Sequence, residues 1–337
     1  MKTVKTVDAV GMILCHDITK IVPGEFKGVA FKKGHIIKEE DIPELLKLGK
    51  DNLYVWEYEE GMLHENDAAI RIKDHIAGNG LGFSAIKEGK IDFIADIDGL
   101  LKIDVAELFK INSLREIIVS TLHNNTPVKK GTKVAGTRVI PLVIEESKIL
   151  KMEEIAKKNI VEILPIKPKK IAIISTGNEV YYGRIQDKFG PILTKKVQEY
   201  GCEVVYHTFS SDDKEMIKEK IQEALNSDAE LILCTGGMSV DPDDRTPLAI
   251  REMGGELITY GSPVLPGAML LLAYHGKRAI LGLPGCVMHS KRTAFDLVLP
   301  RILADEKVTF EDIASYGHGG LCLDCSICTF PHCSFGK

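Results

Sequence analysis

The stretch from Ile171 to Glu179, IAIISTGNE, decides the fold. Its first five residues are a short continuous apolar run, as in a strand buried on both faces of a parallel sheet, and its last four form a polar, glycine-containing turn. The same alternation continues downstream. Helices are expected over residues 191–200, 213–226, 247–253 and 287–304, and further strands over 203–207, 231–234 and 278–283. Strands alternating with helices predict an α/β fold, an open and mostly parallel sheet flanked by helices with right-handed crossovers.

Upstream the pattern differs. Residues 1–60 read as a small mixed α/β unit, with a strand over 7–13, a helix over 38–50 carrying Ile42, Leu45, Leu46 and Leu48, and a strand over 53–56. Residues 66–78 form an amphipathic helix with Ala69, Ile70, Ile72 and Ile76 as its stripe and Gly78 as its cap. The β-like runs IDFIADI, EIIVSTL and TRVIPLVI, separated by turn signals and followed by a charged helix over 144–158, make 61–165 an α+β module. The basic, proline-punctuated segment 163–170, ILPIKPKK, marks the main boundary. The α/β domain then spans 166–306, and a cysteine-rich tail spans 307–337.

The chain has 337 residues, 45% hydrophobic and 27% charged, which excludes a disordered or fibrous protein and allows more than one core. Its 43 basic and 48 acidic residues give a net charge of −5. No global field favours nucleic acid or an anionic membrane, so a bound anion must be held locally. Asp8, His16 and Asp17 break the N-terminal apolar stretch, and no run approaches a membrane span, so a cytoplasmic protein is expected. A homo-oligomer, with a dimer favoured, is the expected assembly.

Ligands of such sheets sit beyond the carboxyl ends of the strands, where loops meet helix N-termini. Three loops lie there: Thr176-Gly177-Asn178-Glu179, Thr235-Gly236-Gly237-Met238-Ser239 and Leu283-Pro284-Gly285-Cys286. In the second, paired glycines let backbone NH groups approach an anion and the hydroxyls of Thr235 and Ser239 add donors, which favours a phosphate; a ligand-free tight turn has the same sequence. Asp241, Asp243 and Asp244 can hold a hard cation of the Mg²⁺ type that bridges ligand phosphates, or form a solvated turn. Asp244 to Pro247 read as a helix start that aims Arg245 at an anion, and Ser211-Asp212-Asp213 as a helix cap. Glu179 has no cap to satisfy and can accept hydrogen bonds from a heterocycle.

In order, TGNE (176–179), GRIQD (183–187), SDD (211–213), TGGMSVDPDD (235–244), PG (266–267) and GLPG (282–285) resemble the molybdopterin-binding domain. That domain is shared by molybdenum insertases, including the gephyrin E-domain, and by molybdopterin adenylyltransferases. The resemblance covers about residues 168–305, with a fainter one of VDAVGMILCHDI to the insertase opening segment. It implies that Gly236, Gly237 and Ser239 contact the dithiolene phosphate, Glu179 the pterin, and Asp244 the metal or molybdate end. Thr176, Gly177, Asp212, Thr235, Pro284 and Gly285 would join the cofactor site, Asp187 and Asp244 would be catalytic, and Asp241 and Asp244 would hold the metal. Insertases have TGDE, SN after the equivalent of Asp187, PGKP and GLPGNP; Asn178, Lys188-Phe189, Ala268-Met269 and Cys286-Val287 stand here instead. By that comparison the pocket lacks a carboxylate and a lysine. About 30 residues follow Glu306 in this sequence, so the insertase C-terminal β-domain is not expected within it.

The tail reads CLDCSICTFPHC, with Cys322, Cys325, Cys328 and Cys333 in CxxCxxCxxxxC spacing. Four thiolates suit zinc or an iron–sulfur cluster, and a reduced, flexible tail is the alternative. Lying beyond the sheet domain, such a centre would close a separate knot. Cys286 reads as a small buried hydrophobe or as a thiolate facing the ligand.

Three functions are open at this point. The first is a molybdopterin-binding protein in cofactor maturation or delivery, which in its catalytic form takes adenylylated molybdopterin and molybdate to cofactor and AMP. The second is a non-catalytic carrier or sensor, and the third a redox or interaction module led by the cysteines. Molybdoenzymes or other cofactor-pathway proteins are the partners implied.

Overall fold

The computed structural model describes residues 2–22, 26–56, 60–239 and 241–337. The chain divides into two compact units, the first of residues 1–97, 101–124 and 129–163, the second of 98–100, 125–128 and 164–337. No helix among the described residues is long and apolar enough to cross a membrane.

In the first unit, Lys2–Lys5 pairs antiparallel with Asn52–Val55, and Ile18–Val22 with Phe26–Phe31, around a core containing Leu14, Ile37, Leu45 and Leu53. The strand expected over 7–13 is absent. Thr6–Asp8 is a 3-10 turn, anchored by the Thr6 hydroxyl on the Lys50 carbonyl, and Gly11 at φ +83 bends the chain, leaving Val7 and Val10 exposed. The helix expected over 38–50 shrinks to Ile42–Lys47 after a 3-10 turn at Glu39–Asp41, where the Asp41 carboxylate accepts from the Lys38 NH.

An antiparallel sheet follows, in the order Leu81–Phe83, Lys90–Ala95, Lys133–Val139, Ile117–Thr121. The helix Glu65–Ile76 lays Ala68, Ala69, Ile72 and Ile76 against the core, while Ile70, read as part of that stripe, is exposed. Gly78 is not a left-handed cap. Ala77 leaves the helix extended and pairs with Val161, and a Cβ on Gly78 would stand 2.8 Å from that of Glu162. The run TRVIPLVI breaks around Pro141 into two strands, the second of which, Val143–Glu145, pairs with Met62–His64.

The second unit is the predicted α/β sheet. Its strand order is Glu203–Ser210, Lys170–Thr176, Leu231–Thr235, Arg278–Leu283, Leu271–His275, Glu256–Tyr260. The first four are parallel, and Leu271–His275 runs antiparallel to both of its neighbours. Alternation along Lys170–Thr176 sends Ile171 and Ile173 to one face, with Leu193, Val197 and the helix Ala294–Leu303, and Ala172 and Ile174 to the other, with Ile217, Ile221 and Ile250. Both faces are covered, which is why this strand is apolar without interruption.

Two strands, Glu256–Tyr260 and Leu271–His275, were not anticipated, because the helix–strand rhythm carries no signal for an antiparallel insertion. The last helix begins at Ala294 and not at 287. A 3-10 turn occupies Gly285–Met288, and the Asp296 carboxylate, accepting from the Thr293 NH at 2.8 Å, caps a fresh start. The tail does not stand apart. Gly320 and Cys322 hydrogen-bond to Leu265, and Phe335 is buried in the core that holds Phe295 and Leu297.

Two buried ionic groups stitch this unit. Arg301, 2% exposed, donates to Glu306 at 2.9 and 2.8 Å and pairs with Asp312 at 2.7 Å. Lys196 donates to Asp296 at 2.8 and 3.0 Å and to the Lys291 carbonyl at 2.8 Å. Lys196→Met would leave the buried Asp296 carboxylate with Arg292 as its remaining cation. We expect a loss of about 3 kcal/mol in unfolding free energy by urea titration, the low end for breaking a buried pair because one partner stays.

Candidate functional site

Parallel pairing sets the strand ends level: Thr176 lies opposite Ser210, Ser175 opposite Thr235, and Thr235 opposite Leu283. The loops leaving these ends therefore crowd one another. Gly236 and Gly237 adopt φ +84 and +52, and a Cβ on Gly236 would stand 2.1 Å from the Thr176 carbonyl oxygen. Only glycine permits that approach, so the loop exposes bare backbone. Beside it opens a cleft of about 940 Å³.

Thr176, Gly177, Glu179, Asp212, Gly236, Gly237, Asp241 and Asp244 line this cleft together, as do Asp243, Lys188, Phe189, Ile192, Met288 and His289. Lys188 and His289 were not proposed as site residues. Lys188 is placed by the turn entering the helix Phe189–Gln198 and His289 by the 3-10 turn Gly285–Met288, and neither position stands out in the strand–helix pattern.

Five other expected residues, Thr235, Ser239, Pro284, Gly285 and Asp187, are not among the side chains lining the cleft. Thr235 is fully buried in its strand, and its hydroxyl is a buried polar atom without a hydrogen-bond partner. Ser239 is exposed and its carbonyl accepts from the Tyr260 hydroxyl at 3.1 Å. Pro284 and Gly285 begin a turn of which only the far end, Met288 and His289, reaches the cleft. The Asp187 carboxylate accepts from the NH groups of Phe189 at 2.9 Å and Gly190 at 3.0 Å and lies 3.3 Å from His207 Nε2, which makes it the cap of a helix. Arg245 also turns away, donating to the Pro242 carbonyl at 3.2 Å. The Thr176 hydroxyl is used internally, donating to the Thr235 carbonyl at 3.0 Å and meeting the Thr246 hydroxyl at 3.0 Å.

Glu179, Asp212, Asp241, Asp243 and Asp244 put five carboxylates on the cleft against one ammonium, that of Lys188, among the described residues. Asp212 registers the crowding. Burial first, then the charges of Glu179, Asp243 and Asp244, push its carboxyl above the ordinary 3.8, against the pull of the Asn178 NH at 2.9 Å. The Asp212 NH in turn donates to Asn178 Oδ1 at 3.4 Å. An aspartate at 178 would add a sixth charge, so the asparagine suits this surrounding. Asp244 Oδ2 accepts from the Asp241 NH at 3.0 Å and closes the turn.

Among the described residues, no three side chains of His, Cys, Asp or Glu are gathered to share a metal ion, whether the loop aspartates or the tail cysteines. Cys325 and Cys328 are exposed, and Cys322 and Cys333 are partly buried against the core. Burial pushes the Cys286 thiol up, which favours its reading as a small packed side chain over a thiolate.

Residues 172–304 match the family described as probable molybdopterin binding domain. This stretch is similar to that family, and the match covers less than half of the chain. Residues 3–57, which include the segment likened to the insertase opening, match a domain of unknown function. A molybdopterin molybdenumtransferase of Synechococcus elongatus is 27% identical over 180 residues, covering 50% of this chain and 42% of that protein. A CinA-like protein of Thermosipho melanesiensis is 37% identical over 91 residues, covering 27% of this chain and 22% of its own. The crystal structure of the molybdopterin biosynthesis enzyme MoaB of Thermus thermophilus aligns with a TM-score of 0.33 and 22% identity, over 40% of this chain and 91% of that one. The chain thus spans less than half the length of these two curated relatives.

In this cleft the raised Asp212 carboxyl yields a stability prediction. The unfolded chain loses this proton near 3.8 and the folded chain only at higher pH, so ionisation works against the fold once the pH exceeds both values. Asp212→Asn keeps an acceptor for the Asn178 NH and removes the charge. Its melting temperature should exceed that of the parent at neutral pH, and the gain should vanish as the pH falls below 3.8. A gain that persisted in acid would point to packing instead.

Proposed function

We propose that the cleft binds molybdopterin and that the protein acts in the maturation or delivery of the molybdenum cofactor. The observation that carries this reading is the bare, left-handed Gly236-Gly237 backbone on the cleft wall, which offers NH groups to a phosphate where a side chain would block it. Glu179, which is exposed at the cleft, would take the hydrogen-bond donors of the pterin. Lys188 is the ammonium available to the phosphate or to molybdate as substrate.

The excess of carboxylates argues for a divalent cation brought in with the ligand, since an anion alone would be repelled. Magnesium commonly binds through one or two carboxylates and substrate phosphates. Asp241 and Asp244 would hold it, and its charge would let phosphate oxygens lie beside them.

In the catalytic form, adenylylated molybdopterin and molybdate are substrates and AMP leaves. The carrier form has its own support. Ala268 stands where insertases have lysine, and Asp187, expected to be catalytic, is committed to capping a helix. One metal centre, zinc or iron–sulfur, on Cys322, Cys325, Cys328 and Cys333 belongs to the same reading, as do a molybdoenzyme or cofactor-pathway partner and a homodimer.

Calorimetry with molybdopterin, with and without Mg²⁺, tests binding, and molybdate-dependent release of AMP tests turnover. Gly237→Val should weaken binding at least about tenfold, because the branched side chain opposes φ +52 and its Cβ would stand 3.0 Å from the Thr246 hydroxyl. Unchanged affinity in a folded variant would remove the loop from the site. Asp244→Asn keeps the acceptor for the Asp241 NH, so it should lower affinity in Mg²⁺ and leave metal-free binding nearly intact. Equal losses in both conditions would make Asp244 structural.

A further inference from the structure

The four tail cysteines line a single pocket of about 50 Å³, away from the pterin cleft. Its construction is specific. The Gly336 NH donates to the Gly319 carbonyl at 2.9 Å, closing the tail into a loop, and a Cβ on Gly319 would collide with the Lys337 carbonyl at 2.1 Å. This closure returns Cys333 to the neighbourhood of Cys322, and both pack on the core. Cys325 and Cys328 lie on the outer side of the loop, exposed.

We propose that Cys322, Cys325, Cys328 and Cys333 hold one [4Fe–4S] cluster in this pocket, in preference to a zinc ion. The inference narrows the reading of the tail given above and does not depend on what the cleft binds. Zinc with four sulfurs at 2.3 Å draws them to about 3.8 Å from one another. All four cysteines line the same cavity, with Phe330 and Phe335 beside them. A cubane spreads its four thiolates over four separate irons, one to each. The chain also supplies three cysteines at successive two-residue spacings, as the ferredoxin run does, with the fourth one residue further on and Pro331 before it instead of after, and not the two separated CxxC pairs common in structural zinc sites.

The surroundings suit a cluster with four thiolate ligands. The Lys291 ammonium donates to the carbonyls of Cys325 at 3.0 Å and Ser326 at 2.8 Å, which fixes the loop and places a cation beside the sulfurs. The Arg292 guanidinium stacks 5.2 Å from the Phe330 ring, and both groups line the pocket. Phe330 and Phe335 supply apolar wall that keeps water from the cluster.

The test uses the full chain, stripped of metal and incubated without oxygen with ferric iron, sulfide and an excess of thiol that reduces half of the iron, or with Zn²⁺. We expect a brown protein with about four irons and four sulfides per chain. Cys325→Ser and Cys328→Ser, at exposed positions where folding should be unaffected, should lose most of the iron, and Cys286→Ser should keep it. Lys291→Met should release iron to a chelator several-fold faster. Stoichiometric zinc with no iron retained would overturn the cluster while sustaining a metal centre on the tail. No metal of either kind would sink both, as would iron that survived Cys325→Ser and Cys328→Ser.

Discussion

The contact on which the second unit depends is the approach of Gly236 to the Thr176 carbonyl. Parallel register brings the ends of Lys170–Thr176 and Leu231–Thr235 to one level, so the two departing loops compete for the same space. A side chain at 236 would separate them. With none, the Thr176 hydroxyl bridges the Thr235 carbonyl and the Thr246 hydroxyl, and the Thr246 NH reaches the Gly237 carbonyl at 3.3 Å. Strand end, glycine loop and the start of the helix Thr246–Glu252 become one unit, and the cleft is the space this leaves beside the loop.

That cleft collects charge that the core would not accept. Lys196 faces Asp296, and Arg301 faces Glu306 and Asp312, so each buried cation in the core has its counter-ion. The cleft has five carboxylates and one lysine among the described residues, and burial first, with the charges of Glu179, Asp243 and Asp244 added, raises the Asp212 carboxyl. Such an arrangement works against stability, and under the proposed function a cation arriving with the ligand would relieve it. Asn178, which departs from the insertase pattern, keeps the imbalance from growing while its amide oxygen still holds the Asp212 backbone.

The strands of the α/β sheet were legible because burial on both faces writes an unbroken apolar run, as in Ile171 to Ile174. The glycine loop was legible for the same reason, since its position follows from the strand before it. What could not be read was direction. Thr235 and Asp187 have the right chemistry in the right loops, yet one hydroxyl is buried in its strand and one carboxylate is committed to two backbone NH groups. In the first unit, Val7 and Val10 have strand-like character, but their neighbour Thr6 is tied to residues 50 and 51, a contact across more than forty residues that no local window contains. Gly78 likewise looked like a helix cap, and it is in fact a glycine of close approach to Glu162.

The broken last helix shows how such a long-range demand shapes function. Had residues 287–304 been one helix, its first turns would have followed one axis. Instead the 3-10 turn at Gly285–Met288 delivers Met288 and His289 to the cleft, and two residues later Lys291 reaches the cysteine loop with its side chain and Lys196 with its carbonyl. Thr293 and Asp296 then restart the helix, and the same Asp296 carboxylate receives Lys196 from the helix Phe189–Gln198, whose Phe189 and Ile192 line the cleft. One irregular segment therefore touches both sites of the second unit and is clamped between them by a buried ion pair. The helical pattern of the sequence would have placed these residues, 288–296, on a single uninterrupted helix, where they could not turn to both.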